Sequence, residues 1–541
     1  MKTSSLITIA LLGFGLGTDA VHASPDGSRQ APALAADSHE LVVPTGARQI
    51  YITTDKPMYR PGETVWLRAW DVQVRDFLAP EQLTSMTFEL VDPRGSVAAR
   101  KKVRLQAGVA TNDFALPPDM AGGAYTLRAS SNLGDRGERT ISVSTYELPR
   151  IKKTLEFARS SYGPGEQVFA ELSLNKAAGE PLARARATAV VWLDGAQVAR
   201  LAVRTDRSGR ATVRFRLPAR ISRGEGMLTV MIDGGGVTES IQRRIPIAVQ
   251  AVELGLYPEG GDLIAGLPAR VYFKASDPFG EPVDITGVVV DDRGTEVTGL
   301  RTFERGMGRF SFTPEAGRSY RVRVRSPKNI DKDYPLPAAQ ERGCTLASGD
   351  DYRSQKRDMQ MTVTCTEERD VIVTTVLRES LVGRVNALIP ARTPTPVTLA
   401  APVARQGAVR VTVFSGDHQP LAERLVYRGL GRHLQVQLQA DRPSYAPRDK
   451  VELTVQTRDA DGKPIAAEVA LAVVDDTVLN LADDKSAHIL AAMYLAPEMP
   501  GQKIREPNFY FSDDPKAPQA LDCLLATQGW RRFKWVWKPR Q

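Results

Sequence analysis

The chain has 541 residues, which is too many for one hydrophobic core and predicts roughly three to five domains. With 42% hydrophobic and 25% charged residues, its composition excludes general disorder. The net charge of +8 is small for this length, and no basic block carries interleaved aromatic residues, so nucleic acid is not a predicted partner.

The first 23 residues are predicted to be an export signal. Lys2 supplies the positive start, residues 6–17 form an apolar run too short to span a membrane, and Val21-His22-Ala23 fits a small-x-small cleavage site. No later segment is apolar enough to cross a bilayer, so we predict a mature chain without a transmembrane segment. Residues 24–45 are predicted to form a flexible lead-in. The protein is therefore expected to be exported, either to the periplasm or into the medium.

One short phrase recurs along the chain. TDKPMYRPGETV (54–65) returns as ARSSYGPGEQV (158–168) and as ADRPSYAPRDKV (440–451), which indicates a repeated structural unit. In the first copy, Pro61 presets φ and Gly62 supplies the positive φ of a type II turn before an alternating strand. In the last copy Arg448 stands in place of glycine, which predicts a type I turn.

This corner motif is predicted to have a structural role rather than a chemical one. Each tyrosine is expected to cap a sandwich core, with its hydroxyl on a polar partner. The motif residues of the first copy are Asp55, Pro57, Tyr59, Pro61, Gly62 and Glu63, and the later tyrosines are Tyr162 and Tyr445.

The repeat predicts an all-β fold of about five tandem fibronectin- or immunoglobulin-like sandwiches. Short alternating strands and turn residues recur about every hundred residues, which is the size of one β-sandwich. Gly-x-Pro hairpin signals lie at 179–181, 280–282 and 462–464. The predicted units are 46–148, 149–250, 251–330, 331–432 and 433–541. Short helices are predicted in the last unit, at 486–496 and around ALDCLLATQ.

Three cysteines are present. Cys344 and Cys365 are candidates for a disulfide in an oxidising compartment, and the alternative is two buried free thiols. Cys523 lies in an apolar helical pattern, which favours a buried thiol over a reactive one.

No sequence motif for catalysis was found. Only four histidines follow the predicted signal, at positions 39, 418, 433 and 488, and none belongs to a metal-ligating motif. Asp459-Ala460-Asp461-Gly462 begins like a calcium loop but lacks its length and terminal Glu, so a hairpin turn is predicted instead. No catalytic residue, metal or other cofactor is therefore predicted, and the protein is not expected to be an enzyme.

Long stretches resemble the alpha-2-macroglobulin-like family. TDKPMYRPGETV is similar to a strand-start motif of the second macroglobulin domain. Further segments resemble later parts of family members, and they occur in the same order as in the family. They are YELPR (146–150), residues 257–283, ALAVVDDTVL (470–479) and IREPNFYF followed by ALDCLLATQGWRRFKW. The resemblance implies a curved string of macroglobulin domains and, in full-length members, inhibition of endopeptidases by entrapment with an internal thioester.

The sequence departs from that pattern at the thioester. The nearest string, Cys365-Thr366-Glu367-Glu368, ends in Glu and lies in a strand-like run, and the thioester and later domains are expected to be absent. We therefore predict an exported, non-enzymatic relative of endopeptidase inhibitors that acts by protein–protein contact, on an endopeptidase or an envelope protein. The alternative is a structural or adhesive scaffold of the bacterial envelope.

Two segments are candidate functional sites. Loop 497–519 lies where the resemblance implies bait or insertion segments; Lys503 and Arg505 suit trypsin-like cleavage, and Phe509 and Tyr510 suit chymotrypsin-like cleavage. The alternative is an ordered excursion packed on its own sandwich. The second segment is the aromatic tail, which either completes the last core as a strand or forms a docking patch. Its aromatic residues are Trp530, Phe533, Trp535 and Trp537.

Overall fold

A computed structural model describes most of the chain from residue 47 to residue 527. The described ranges are 10–12, 47–81, 84–145, 151–176, 179–222, 224–233, 238–247, 252–277, 280–328, 330–349, 358–378, 380–400, 406–430, 434–446, 448–474, 488–499 and 504–527.

The first unit is a two-sheet sandwich. A three-stranded sheet (order β2-β4-β7) packs on a five-stranded sheet (order β3-β9-β8-β5-β6). Alternation in TVWLRAW sends Val65, Leu67 and Ala69 into the core between the two sheets. The strands are β2 (Arg48–Thr54), β3 (Met58–Tyr59), β4 (Thr64–Gln73), β5 (Ser85–Val91), β6 (Val97–Arg104), β7 (Val109–Ala115), β8 (Gly123–Ser131) and β9 (Arg136–Val143).

The second unit repeats this plan. Its three-stranded sheet has the order β10-β11-β14 and its four-stranded sheet the order β13-β12-β15-β16, with one buried apolar core between them. The strands are β10 (Ile151–Phe157), β11 (Gln167–Lys176), β12 (Arg186–Leu193), β13 (Ala196–Arg204), β14 (Arg210–Arg216), β15 (Gly226–Asp233) and β16 (Thr238–Ile245).

The third unit is one continuous sheet of seven strands around its own core, in the order β17-β18-β21-β20-β19-β22-β23. Its last strand lies beyond the predicted boundary at residue 330, because Tyr334 is buried and donates its hydroxyl to the Val252 carbonyl at 2.5 Å. The strands are β17 (Glu253–Pro258), β18 (Ala269–Ser276), β19 (Thr286–Asp291), β20 (Glu296–Glu304), β21 (Met307–Phe312), β22 (Tyr320–Ser326) and β23 (Asp333–Pro335).

The fourth unit is again a sandwich of three and four strands, in the orders β24-β25-β28 and β27-β26-β29-β30. The strands are β24 (Cys344–Ser348), β25 (Asp358–Cys365), β26 (Arg369–Leu377), β27 (Ser380–Ile389), β28 (Thr395–Ala400), β29 (Gly407–Ser415) and β30 (Pro420–Arg428). The predicted all-β array of sandwiches is confirmed.

The fifth unit differs from the other four. Its described strands are β31 (Gln435–Ala440) and β32 (Leu453–Arg458), which pair as a hairpin, and the short β33 (Glu468–Ala470). β33 pairs with β1 (Ala10–Leu12), which lies inside the predicted export signal. No described residue from 434 to 474 is buried.

Among the described residues from 488 to 527, the helical elements are α1 (Ile489–Tyr494), a 3-10 turn (Ala496–Glu498), α2 (Pro507–Tyr510) and α3 (Ala517–Ala526). The sequence analysis assigned them to the last sandwich, but their buried contacts lie on the first, third and fourth units. The physical reason is that those units offer apolar surface against which the helices can bury their side chains, whereas the described part of the fifth unit has no buried core.

The corner motif has the predicted turn in the first unit. The Glu63 amide donates to the Arg60 carbonyl at 3.1 Å, and Gly62 has φ of +86°. Glu63 also accepts from the Arg60 amide at 2.8 Å and from Lys56 Nζ at 2.6 Å, which ties the turn to the residue before Pro57.

The tyrosine of the motif is fixed by the aspartate four residues earlier. Tyr59 is fully buried and donates to Asp55 Oδ1 at 2.5 Å, and the same oxygen accepts from the Trp66 amide at 3.0 Å. Burial and the Asp55 carboxylate raise the pKa of Tyr59 far above its ordinary value. Tyr162 is equally buried and donates to the Phe169 carbonyl at 3.1 Å.

In the fifth unit the motif keeps its hydrogen bonds but loses its burial. Tyr445 donates to Asp441 Oδ1 at 2.5 Å, and that oxygen accepts from the Glu452 amide at 3.0 Å, yet Tyr445 is only half-buried. The prediction of a type I turn here is wrong, because Arg448 itself adopts φ of +73°. The pattern of hydrogen bonds thus holds the turn in the conformation that glycine favours elsewhere.

Candidate functional site

The predicted protease-sensitive loop is part of a helical segment that joins three units. We call residues 488–527 the clasp; its described residues are 488–499 and 504–527. The 3-10 turn ends inside the predicted loop 497–519, α2 falls wholly inside it, and α3 begins inside it. The clasp begins on the first unit and ends between the third and fourth.

Helix α1 packs on the outer face of the first unit. Ile489 and Met493 are buried against Tyr51, Trp70 and Val72 of β2 and β4. Gln49 Nε2 donates to the Ala492 carbonyl at 2.7 Å, which satisfies an oxygen in the last turn of this helix. The contact between α1 and the first unit is therefore apolar, with one neutral hydrogen bond.

An arginine of the fourth unit completes the first anchor. The guanidinium carbon of Arg378 lies 4.3 Å from the centre of the Phe77 ring and 5.5 Å from that of Tyr494, and the two rings meet edge to face at 5.2 Å. The Arg378 amide donates to Glu498 at 3.2 Å, and Arg410 lies 3.5 Å from the same carboxylate. The first and fourth units thus meet through α1.

Helix α2 lies on the third unit. Arg505 forms an ion pair with Glu281, and Arg305 pairs with Glu506 while lying 4.4 Å from the Phe509 ring centre. Tyr510 is 2% exposed, and burial raises its pKa to about 12.

These contacts change the accessibility of the predicted cleavage residues. Tyr510 is buried and Phe509 is half-buried within α2, so a protease reaches either peptide bond only after α2 unfolds. Arg505 lies ahead of the helix, with 40% of its side chain exposed. Lys503 lies outside the described residues. The described residues Arg505 to Tyr510 of the loop contact the third unit.

Helix α3 ends the clasp at a buried ionic cluster. Arg424 of β30, with 3% of its side chain exposed, donates to Asp522 Oδ1 at 2.7 Å and to Glu259 Oε1 at 3.1 Å. Tyr272 of β18 donates to Asp522 Oδ2 at 2.8 Å and accepts from Arg424 at 3.0 Å. Glu259 Oε1 also accepts from the Ser348 amide and hydroxyl, each at 3.0 Å.

The groups of this cluster stay charged because each buried charge lies next to a group of opposite charge or a hydrogen-bond partner. Burial by itself lowers the pKa of Arg424, but Asp522, Tyr272 and Glu259 outweigh it and raise that pKa overall, so the guanidinium stays charged. Burial raises the pKa of the Tyr272 hydroxyl above its ordinary value, which keeps it a hydrogen-bond donor. This second anchor therefore joins the third unit, the fourth unit and α3 by ionic contacts out of water.

Sequence reasoning missed this cluster. Its members lie far apart in the chain, with 250 positions between Tyr272 and Asp522. The one available signal was Asp522 itself, an acid inside the apolar helical run ALDCLLA, where burial demands a partner.

The cysteines are placed as follows. Cys344 and Cys365 form a disulfide between the adjacent strands β24 and β25. The sulfur of Cys365 is thus already bonded, which excludes it as a thioester former in this state. Cys523 is free and fully buried, as predicted, and burial raises the pKa of its thiol to about 12.

The remaining sequence candidates gain no site from the structure. Across the described residues, no group of three or more His, Cys, Asp or Glu could hold a metal ion. The four aromatic residues of the tail, Trp530, Phe533, Trp535 and Trp537, lie outside the described residues. In the part of the chain that is described, no helix is long and apolar enough to span a membrane.

Two parts of the chain match known domain families. Residues 49–143 match the MG2 domain family, and residues 313–481 match the alpha-2-macroglobulin bait region domain family. The chain is 28% identical over 140 residues to alpha-2-macroglobulin of Ralstonia nicotianae, covering 25% of this chain and 9% of the relative. It is 23% identical over 290 residues to alpha-2-macroglobulin of Thermotoga maritima, covering 51% of this chain and 18% of the relative. This chain is an alpha-2-macroglobulin-like protein built of macroglobulin domains.

Solved structures of this family are also similar. Trypsin-activated alpha-2-macroglobulin from Escherichia coli is 14% identical with a TM-score of 0.48, over 84% of this chain and 36% of that one. The native conformation of Escherichia coli alpha-2-macroglobulin is 14% identical with a TM-score of 0.35, over 78% and 32%. The chain thus spans less than a fifth of these two curated relatives and about a third of these solved chains. The predicted loop 497–519 lies outside both matched domain families.

Proposed function

We propose that this alpha-2-macroglobulin-like chain is a non-enzymatic, exported protein that responds to an endopeptidase by protein–protein contact, without a thioester. The observation that supports this proposal is the clasp. Its first anchor, α1, ties the first unit to the fourth, and its second anchor, α3, ties the third unit to the fourth. The peptide between the anchors contains Lys503 and Arg505.

A cut between the anchors would convert one tethered segment into two. In the intact clasp, each anchor holds the other at a high effective concentration next to its binding surface. Cleavage after Lys503 removes that covalent link, so each anchor must then hold by its own contacts. Proteolysis at this one place would therefore loosen the arrangement of the units without breaking any sandwich.

The cysteine chemistry supports a mechanism without a thioester. Cys365 is bonded to Cys344, and Cys523 is fully buried with a raised pKa, so neither sulfur offers a reactive thiolate. Retention of a protease would then rest on surface contacts alone.

The test is limited proteolysis of the purified mature chain. Trypsin should cut first within 500–506, and mass spectrometry of the fragments locates the cut. Small-angle scattering should show a change in radius of gyration on the same time course, and protease activity on a large substrate should fall relative to that on a small one. Lys503→Gln should suppress cleavage after residue 503, while Lys516→Gln, a change at an exposed lysine of the same segment, should not.

A scaffold of the envelope is the second candidate, and the packing of α2 favours it. Phe509 and Tyr510 lie in an ordered helix against the third unit, which protects that part of the loop from proteases. Cuts confined to the region before residue 47 and to the linkers between units, with unchanged protease activity, would refute the inhibitor proposal in favour of this one.

A further inference from the structure

The positive charge of the chain is concentrated in its second unit. Residues 149–250 contain 17 Lys and Arg against 9 Asp and Glu, so this unit carries a net charge of +8, which equals the net charge of all 541 residues. The other four predicted units each carry a net charge between −1 and +2. A charge distributed so unevenly turns the second unit towards a negatively charged partner during approach.

Within the second unit, four exposed arginines share the outer side of the four-stranded sheet. Arg186 and Arg204 are direct partners across β12 and β13, Arg200 lies four residues before Arg204 on β13, and Arg244 lies on β16. Like charges that face each other directly across two strands destabilise a sheet. The Arg186–Arg204 pair is therefore a position where a bound anion would relieve repulsion.

The acidic residues of this sheet leave most of that charge uncompensated. The described strands β12, β13, β15 and β16 contain two acidic residues, Asp233 at the end of β15 and Glu239 on β16. Glu239 pairs with Lys153 of the three-stranded sheet at 2.6 Å. The three-stranded sheet itself is mixed, because Glu156 and Glu171 lie opposite each other on β10 and β11. The basic side of the unit is therefore the outer side of the four-stranded sheet.

Two large apolar side chains lie among these arginines. Trp192 of β12 and Met227 of β15 are cross-strand partners with 43% and 37% of their surfaces exposed, and Met227 is also opposite Arg244. Trp66 of the first unit is more exposed, at 60%, but it lies opposite the acidic residue Asp113. Trp192 is thus the exposed tryptophan with a basic setting.

We propose that this outer side of β12, β13, β15 and β16, which we call the basic face, docks on a membrane surface rich in anionic phospholipids. Guanidinium groups donate to phosphate oxygens in a fixed, two-pronged geometry. An indole ring is stable at the level of the headgroups, where one end meets hydrocarbon and the other meets water. The proposal is independent of the proposed function, because it concerns another unit and needs no cleavage.

The size of the basic face favours a bilayer over a folded protein as the partner. Four strands of about eight residues cover about 19 Å by about 27 Å, or roughly 500 Å². A specific protein interface buries about 800 Å² on each partner. A bilayer needs no matching shape, and each basic residue near its surface strengthens binding roughly fivefold.

Vesicle binding by the purified mature chain tests the proposal. Vesicles of equal parts phosphatidylglycerol and phosphatidylcholine should bind the chain at least about tenfold more strongly than vesicles of phosphatidylcholine alone, and added salt should weaken this binding. Hydroxyl-radical footprinting then locates the contact. Oxidation of Trp192 and Met227 should fall several-fold on the anionic vesicles, whereas oxidation of Trp66 should not change.

Two double variants with the same change of charge separate the basic face from the rest of the unit. Arg200→Gln with Arg204→Gln should weaken binding to the anionic vesicles roughly twentyfold. The matched control is Arg210→Gln with Arg216→Gln, at exposed positions on β14 of the three-stranded sheet, and it should weaken binding by less than about threefold. All four side chains are exposed, so both variants should fold.

Three results would overturn the proposal. Equal binding to neutral and anionic vesicles would show that anionic lipid is not recognised. Equal losses in the two double variants would show a general attraction of charge without a docking face. Protection of Trp192 by poly-L-glutamate but not by the anionic vesicles would assign the face to an acidic protein instead.

Discussion

The two anchors of the clasp hold by different physics. Helix α1 packs on the first unit through Ile489 and Met493. Its polar contacts are the neutral hydrogen bond from Gln49 and, just after the helix, the hydrogen bond from the Arg378 amide to Glu498. Helix α3 buries Leu521, Leu524 and Leu525 around Asp522, which is locked to Arg424 and Tyr272.

The difference predicts how each anchor fails. An apolar contact weakens in proportion to the area lost, so α1 should loosen gradually. A buried ionic cluster is strongly destabilised when one member is removed, because the others remain charged and out of water. After a cut between the anchors, we expect α1 to leave the first unit before α3 leaves its site, because α3 buries more apolar side chains than α1.

The largest effect is expected for Arg424→Met. It leaves Asp522 buried without its cation and Glu259 with Arg270 alone, at 3.6 Å, which costs about 3–5 kcal/mol. The local free energy of opening of α3, from hydrogen exchange at the Ala520 and Thr527 amides, should fall by that amount.

Arg442→Met is the control for this change. Arg442 pairs with Asp441 and Asp449 but is 48% exposed, so its loss should cost less than about 0.5 kcal/mol. Equal effects of the two substitutions would contradict the assignment of the second anchor to a buried cluster.

The Cys523 thiol reports whether α3 stays docked. Its side chain is fully buried and burial raises its pKa to about 12, so at pH 8 the docked thiol should react with iodoacetamide at least about a hundredfold more slowly than in the unfolded chain. We expect this protection to survive a cut within 500–506. Rapid alkylation after the cut, measured by mass spectrometry, would show that α3 is the anchor that is released first.

Long-range contacts explain why the sequence predicted the sandwiches and the corner motif but not the anchors. The hydrogen bonds of the corner motif join residues no more than 11 positions apart, namely Asp55, Tyr59 and Trp66. One short stretch of sequence therefore contains the whole motif. Gln49 and Ala492 are 443 positions apart, and nothing in either local sequence identifies the other. The turn at Arg448 was missed for the opposite reason, because its hydrogen bonds override the local preference of the residue.

Met493→Ala should weaken the first anchor by a smaller amount. The side chain is 2% exposed against Tyr51 and Trp70, and truncation of a buried methionine costs about 2–4 kcal/mol. Exchange at the Leu495 amide, which donates to Ala491 at 3.0 Å, should speed accordingly. Leu490→Ala is the control on the same helix, since Leu490 is only partly buried and should cost less. If both substitutions leave exchange unchanged, α1 is not held by this apolar contact.

The smallest effect is expected for Phe77→Leu at the edge of the first anchor. Leucine keeps an apolar side chain but loses the ring under Arg378 at 4.3 Å and the edge contact with Tyr494 at 5.2 Å. The loss of both contacts should cost about 1–2 kcal/mol at this partly buried site. Leu78→Ala, at the neighbouring residue that is 51% exposed, should cost less than about 0.5 kcal/mol. Exchange at the Leu495 amide again measures the opening of α1.

Because Arg378 lies in the fourth unit and Phe77 in the first, Phe77→Leu should also speed cleavage by trypsin between these two units. Unchanged cleavage would show that this contact does not join them.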